Sequence, residues 1–328
     1  MNAIPIRRRP VRWLACWCAV VGVSALATTQ VADARPVGLA PTMAPPTVVP
    51  VTTSSPGLLV DSATAIAGQM QSTIDLAAPG SQVGIEVVDT TTGAEIAGIG
   101  TDQQFYTASV VKLLIALDAL DAAAARPDPA AQPDAAAPPL DSAAPQSDPT
   151  IADQVREMLT TSDDGIADEL WVAQGGVDIV TRMAEKIGLP GTVPPEDPGQ
   201  WGETRTTPKD VAAIYRYIIE SVPEPERRMI MDALEHVTEI SADGTDQLFG
   251  IPDALLPGVA WAVKPGWMAL NSSTTLNTTG LIAARKGEPL RYIVVVLTAQ
   301  PADIGWTAGG AALTAGVSVL RTALGLER

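Results

Sequence analysis

"YTASVVKLLIALDAL", residues 106–120, decides how this chain is read. One hydroxyl, Ser109, and one amine, Lys112, stand at the head of a segment that is otherwise almost wholly apolar. A helix over 109–121 that is apolar nearly all round belongs inside a core. Ser109 and Lys112, three residues apart, then share one helix face. A lysine withdrawn from water has its pKa lowered from about 10.4 toward neutrality. Such an amine can act as a general base, with the neighbouring serine as nucleophile. The helix N-terminus adds free N–H groups where an oxyanion would form. The plainer alternative makes Ser109 an N-cap and lets Lys112 reach back to water. The Ser-x-x-Lys tetrapeptide alone does not separate the two.

Outward from this stretch, "QVGIEVVDTTTGAEIAGIG" (82–100) reads as a hairpin around a Thr-Thr-Gly turn. Helical spacing marks 63–78, 151–161, 165–173, 176–187, 208–221, 225–238 and 307–323. Strands are expected at 259–265, 278–284 and 291–298. Strands at both ends with helices between predict an α/β (α+β) fold: one sheet assembled from both ends of the chain, with a helical lobe inserted in the middle. Between 122 and 149, 11 of 28 residues are Ala and 7 are Pro. That composition buries little and predicts a surface excursion.

The N-terminus reads as an export leader, 1–34. Arg7, Arg8, Arg9 and Arg12 precede an apolar run from Trp13 to Ala27, and a small-x-small site, Ala32-Asp33-Ala34, follows. A membrane anchor is the alternative, but the run falls short of the roughly 20 residues a spanning helix needs. Leu14-Ala15-Cys16 resembles a lipoprotein box set too close to the arginines. A Pro-rich tether, 35–60, leads into the folded part. Both cysteines, Cys16 and Cys18, lie in the leader, so the exported chain has no disulfide and no thiol nucleophile. Loss of the leader removes four arginines and one aspartate, leaving 17 basic against 36 acidic residues, a net charge of −19. That charge argues against nucleic acid and anionic lipid as partners. With one histidine, His236, in an amphipathic helix, a zinc site of several His and Cys ligands is excluded. No cofactor or metal is expected, and a monomer is.

On these residues the chain resembles the serine β-lactamase and penicillin-binding protein family, class A β-lactamases in particular. "FYTASVVKLLIA" is similar to the nucleophile segment. "MLTTSDDGIADELW" (158–171) resembles the Ser-Asp-Asn motif, with Ser162-Asp163-Asp164. "GETRTTPKDVA" (202–212) resembles the segment after the Ω-loop. "GVAWAVKPGWM" (258–268) resembles the Lys-Thr-Gly motif, with Lys264-Pro265-Gly266. The likeness spans about 60–328. It implies a class A β-lactamase-like fold, with Ser109 as acylated nucleophile, Lys112 as its base and Ser162 as proton relay. It implies that Lys264 positions Ser162 and holds a substrate carboxylate. The amides of Ser109 and Trp267 would form the oxyanion hole, and Asp164 and Gly266 would contact substrate. The implied sheet lobe covers 61–107 and 245–328, and the helical lobe 108–244.

Three departures qualify the resemblance. Asp164 stands where the family has Asn, so a donor to substrate is lost and a partner for Lys112 is gained. Pro265 replaces a hydroxyl residue, and a proline in a strand belongs at an edge or bulge. The Glu-x-x-Leu-Asn pattern of the Ω-loop is absent; Glu196 and Glu203 are the acids available there, flanked by Pro and Gly as solvated loop charges are. The expected function is a secreted serine hydrolase that acylates on β-lactams or D-alanyl cell-wall peptides and deacylates slowly. The alternatives are a non-catalytic relative binding cell-wall peptide or a protein partner, and an esterase-like acyl hydrolase.

Overall fold

The computed structural model describes residues 56–125, 149–255 and 257–326, which belong to one unit, Thr53–Arg328. The leader, the tether as far as residue 55 and the Ala/Pro stretch over 126–148 lie outside the described residues. Helix α1 (Pro56–Ala77) leads into the hairpin β1 (Gln82–Asp89) and β2 (Glu95–Ile99), then the short β3 (Phe105–Tyr106). The helices α2 (Lys112–Ala124), α3 (Ile151–Thr161), α4 (Asp164–Ala173) and α5 (Val177–Ile187) follow. Then come β4 (Arg205–Thr206), α6 (Pro208–Glu220), α7 (Glu224–Glu235) and α8 (Ile251–Ala254). The chain closes with β5 (Trp261–Val263), β6 (Gly266–Ala269), β7 (Ser273–Ala283), β8 (Leu290–Pro301) and α9 (Trp306–Ala323).

The main sheet is antiparallel, in the order β2-β1-β8-β7-β5, with β6 also paired to β7. Its centre is β8, whose run Tyr292 to Leu297 is buried throughout. Alternate residues serve two cores. Tyr292, Val294 and Val296 join Met70 and Ile74 of α1 and Val317 and Leu320 of α9. Ile293, Val295 and Leu297 join the layer built from α2 to α7. A strand covered on both faces reads as a continuous apolar run, which is why this one is legible in sequence. Truncating Ile293 to Ala in such a site costs about 2–5 kcal/mol.

Several boundaries differ from expectation. α1 begins at Pro56, so the last part of the expected tether is helical. α2 continues through Ala124, taking in the first residues of the Ala/Pro stretch. The helix expected to reach 238 stops at Glu235, with His236 outside it. β7 begins at Ser273, because Thr274, Thr275, Asn277, Thr278 and Thr279 are buried polar residues that hide a strand from an apolar-alternation reading. The expected strand 259–265 continues as β6. Val263 lies opposite Gly280 and Gly266 opposite Asn277, so register is kept across Lys264 and Pro265. β5 and β6 form a sheet edge, the position where a proline lacking its N–H does no harm. Among the described residues, no helix is long and apolar enough to cross a membrane.

Candidate active site

Ser109 lies on a 3-10 turn, Ala108–Val111, that precedes α2, rather than on the helix itself. It is no N-cap: Val111 occupies that position for α2, without a side-chain cap bond. Ala108 has φ +45°, a left-handed conformation that side chains other than glycine rarely adopt. Such a residue costs about 1–3 kcal/mol and persists only where its surroundings hold it. The holding groups are identifiable. The Thr107 amide donates to the Thr204 carbonyl (2.8 Å), and β3 pairs with β4. From β7, the buried Asn277 donates Nδ2 to the carbonyls of Tyr106 (2.9 Å) and Thr107 (3.1 Å), while its Oδ1 accepts from the Thr298 amide (3.0 Å).

Ser162 ends α3 in a left-handed conformation, φ +57°. Asp163 then caps α4 by accepting from the Ile166 amide, which fixes the turn. This places the Ser162 hydroxyl between two fully buried lysines. Lys112 Nζ lies 3.2 Å from Ser162 Oγ and Lys264 Nζ 2.9 Å from it. Lys112 also donates to the Ser162 carbonyl and to Asp164 Oδ1, both at 2.6 Å. Burial pushes the Lys112 pKa down from its ordinary value, and Asp164 pushes it back up. Lys264 is held well below the ordinary lysine range, by burial first and then by the charge of Lys112. Its remaining contacts are the Pro265 carbonyl (3.1 Å) and the face of Trp267, 5.8 Å from the ring centre. Two amines sharing one hydroxyl favour one ammonium and one neutral amine. Lys112, which has the carboxylate, is the better place for the charge. Neither lysine bonds to Ser109 Oγ.

β6 passes close to the serine turn. A Cβ on Gly266 would lie 2.7 Å from the Thr107 carbonyl oxygen and 3.1 Å from the Ser109 amide nitrogen. Only glycine allows that approach, which brings the strand carrying Trp267 against the Ser109 amide. Asp164, with its side chain 58% exposed, ion-pairs Lys112, the partner foreseen for it. The loop between α5 and β4 gives Lys112 an aromatic neighbour and no carboxylate. The Trp201 ring lies 5.0 Å from Nζ, with its indole N–H donated to Asp168 (2.7 Å). Glu196 is exposed and Glu203 half-buried on the 3-10 turn after Trp201. His236 is exposed, with Nδ1 2.8 Å from the Asp232 carbonyl, away from this cluster.

The geometry thus supplies a serine on a strained turn, a second serine between two lysines, and a glycine-bearing edge strand beside them. That combination suits acyl transfer to Ser109 with proton movement through Ser162. The family model described as "Beta-lactamase enzyme family" matches residues 65–318. This chain belongs to the β-lactamase enzyme family. A relative from Mycobacterium tuberculosis, named "Putative lipoprotein LppW", is 35% identical over 237 residues, covering 71% of this chain and 68% of that one. The same protein from Mycobacterium bovis matches equally. A class A β-lactamase from Mycobacterium abscessus has the same fold, with a TM-score of 0.59 at 19% identity over 79% of this chain and 99% of the other. So does PBP-A, with a TM-score of 0.58 at 20% identity over 78% and 95%. A point mutant of PBP-A is described as an acyl-enzyme complex with penicillin G, with a TM-score of 0.57 at 19% identity over 78% and 96%. The expected fold, an antiparallel sheet flanked by helices in the class A manner, is therefore the observed one.

Three residues near the site were not singled out by sequence reasoning: Trp201, Asn277 and Asp243. Trp201 sits in "GQWGETR", where no spacing marks it. Asn277 lies in the polar run "STTLNTT", which gives no strand signal. Asp243 sits on a turn, its carboxylate accepting from Ser241 Oγ (2.5 Å) and from the Trp267 indole N–H (3.0 Å). Burial tends to raise its pKa, but these donors and Thr245 hold it below the ordinary value. A cavity of about 660 Å³ lies elsewhere, between α9 and residues 245–253, lined by Phe249, Leu276 and Trp306 among others. It contains none of the serine–lysine groups, so chemistry rather than volume identifies the site.

Proposed function

We propose that this β-lactamase-family protein is an exported serine acyl-transfer hydrolase that forms a long-lived acyl-enzyme on Ser109. The observation carrying the reading is the Ser162 hydroxyl held between the Nζ atoms of Lys112 and Lys264. In this reading Ser109 Oγ attacks an acyl carbonyl, and its proton leaves toward the lysine pair. Ser162 relays a proton to the departing group. The amides of Ser109 and Trp267 receive the developing oxyanion, and Asp164 and Gly266 line the path of the substrate. Acylation has its parts. Deacylation needs a base that poises water, and beside Lys112 the loop supplies Trp201. A positioned base contributes about 10²–10⁴-fold, so the acyl-enzyme accumulates. β-Lactams and D-alanyl cell-wall peptides are the ligands the family resemblance favours, acting on a monomeric protein in the cell envelope.

The test combines stopped-flow kinetics with a chromogenic cephalosporin, intact-mass spectra at intervals, and labelling by a fluorescent penicillin. The expected result is a stoichiometric adduct that maps to Ser109, is absent from Ser109→Ala, and decays slowly. Fast sustained turnover without adduct would refute slow deacylation. A specific observation favours a second reading, a non-catalytic binder of cell-wall peptide or protein: the Lys112–Asp164 ion pair, which withholds a neutral amine from Ser109. Absence of both adduct and turnover, in the wild type and in Asp164→Asn, would support it. Hydrolysis of simple aryl esters without penicillin labelling would point to the esterase-like alternative.

A further inference from the structure

We propose that Lys264, reached through the Ser162 hydroxyl, is the proton acceptor for Ser109, and that Lys112 stays an ammonium throughout the reaction. The inference rests on the acyl-serine reading above and deepens it by giving the two lysines different roles. The family resemblance implies Lys112 as the base, but the hydrogen bonds around the two amines are unequal. Three acceptors surround Lys112 Nζ: the Ser162 carbonyl and Asp164 Oδ1, both at 2.6 Å, and Ser162 Oγ at 3.2 Å. An ammonium has three donors and no lone pair, so it satisfies all of them. A neutral amine has two N–H groups, so it would leave one acceptor without a donor and turn its lone pair toward an oxygen.

Lys264 is placed differently. Its Nζ is fully buried, with the Pro265 carbonyl at 3.1 Å, the Ser162 hydroxyl at 2.9 Å and the Trp267 ring beside it. Among the described residues, no carboxylate bonds to it. A neutral amine fits this site: one N–H donates to the Pro265 carbonyl and the lone pair accepts from Ser162. Ser162 can serve both lysines, because Oγ accepts from Lys112 while its single proton is free for Lys264. The charged groups acting on Lys264 agree. Burial and then the Lys112 charge push its pKa down, and Asp164 and Asp243 push it up by less. The Lys112–Asp164 pair therefore moves the neutral amine one hydroxyl further from Ser109 rather than removing it. As Ser109 Oγ bonds to the acyl carbon, its proton passes to Ser162 Oγ and the Ser162 proton passes to Lys264 Nζ. The bond to the departing atom breaks with its electron pair, and the same path run backwards delivers the proton to that atom. Lys112 neither gains nor loses a proton; its charge polarises Ser162.

The test has a kinetic and a spectroscopic arm. Arginine keeps a cation at either position but has no lone pair to take a proton. Fluorescent-penicillin labelling of Ser109 is followed across a pH series in Lys112→Arg and Lys264→Arg, with thermal melts to check each fold. A positioned base is worth about 10²–10⁴-fold. Lys264→Arg is therefore expected to label at least about 10-fold more slowly than Lys112→Arg and to lose the pH-dependent limb that Lys112→Arg keeps. The reverse order would overturn the inference. The second arm needs neither arginine variant to fold. Lysine-13Cε NMR of the wild-type protein is followed as pH rises. The two signals are told apart by Trp201→Phe, which changes the ring over Lys112 and leaves the ring beside Lys264 untouched. Lys264 is expected to lose its proton first. Loss from Lys112 first, or from both together, would overturn the inference. If the wild type labels at no pH, the acyl-serine reading itself fails, and the order of proton loss alone decides which lysine holds the charge.

Discussion

Replacing Asp164 by Asn tests whether the ion pair with Lys112 sets the reactivity of the cluster. The carboxylate lies 2.6 Å from Nζ. Coulomb's law at that separation gives about 6 kcal/mol at an effective dielectric of about 20, and about 1.6 kcal/mol in water. Because Asp164 is largely exposed, solvent screening places the value near the lower end, about 1.5–3 kcal/mol. Removing that charge lowers the Lys112 pKa, since Asp164 is what pushes it back up against burial. The alkaline-favoured limb of fluorescent-penicillin labelling should move to lower pH. On the limb, labelling should be about 10-fold faster or more. Stability should move the other way. Lys112 has a folded-state pKa below its unfolded value, so its burial destabilises the protein below the folded pKa. That destabilisation is relieved as pH rises from the folded pKa toward the unfolded one. Removing Asp164 lowers the folded pKa further. The variant should lose about 1–3 kcal/mol near neutrality and regain the difference at alkaline pH. Labelling rates and thermal melts across one pH series measure both. A labelling limb that stays in place while the melts show an intact fold would refute the reasoning.

Other perturbations give equally definite outcomes. Burial, followed by repulsion from Glu95, raises Glu86 on β1 from 4.5 to about 7, and its Oε2 has no partner. Since the folded pKa exceeds the unfolded one, stability is lost as pH rises from 4.5 through about 7; Glu86→Gln should flatten that slope and be more stable above it by up to about 3 kcal/mol, read by denaturant melts at two pH values. Trp201→Ala opens Lys112 to water, raises its pKa and should slow labelling several-fold with the limb moved to higher pH, while Trp201→Phe should keep most of the rate. Asn277→Leu strands the Tyr106 and Thr107 carbonyls and the Thr298 amide, and should cost about 2–4 kcal/mol in a denaturant melt along with loss of Ser109 labelling.

The sequence by itself determined the sheet's central strand, the buried helix and the identity of the serine–lysine groups. Those features are local. β8 is apolar on both faces, α2 is apolar all round, and Ser-x-x-Lys, Ser-Asp-Asp and Lys-Pro-Gly are short runs in which composition and order carry the signal. It also exposed the Asp164 problem, since an acid two positions after a relay serine and a lysine needing a partner can be weighed from the sequence. Tertiary structure alone decided the rest. It placed Ser109 on a strained turn rather than a helix, because Asn277 and the β3–β4 pair, far away in sequence, hold Ala108 in a left-handed conformation. It set Trp201 over Lys112 and tied Asp243 to Trp267, contacts between loops that no periodicity encodes. It carried the sheet edge past Pro265, because a strand whose outward amide pairs with nothing can lose that amide without cost. Hydrophobic pattern fixes which elements form and which face inward. Where a carboxylate or an indole ends up depends on chain segments meeting across the fold, and that information exists only once the two cores have closed.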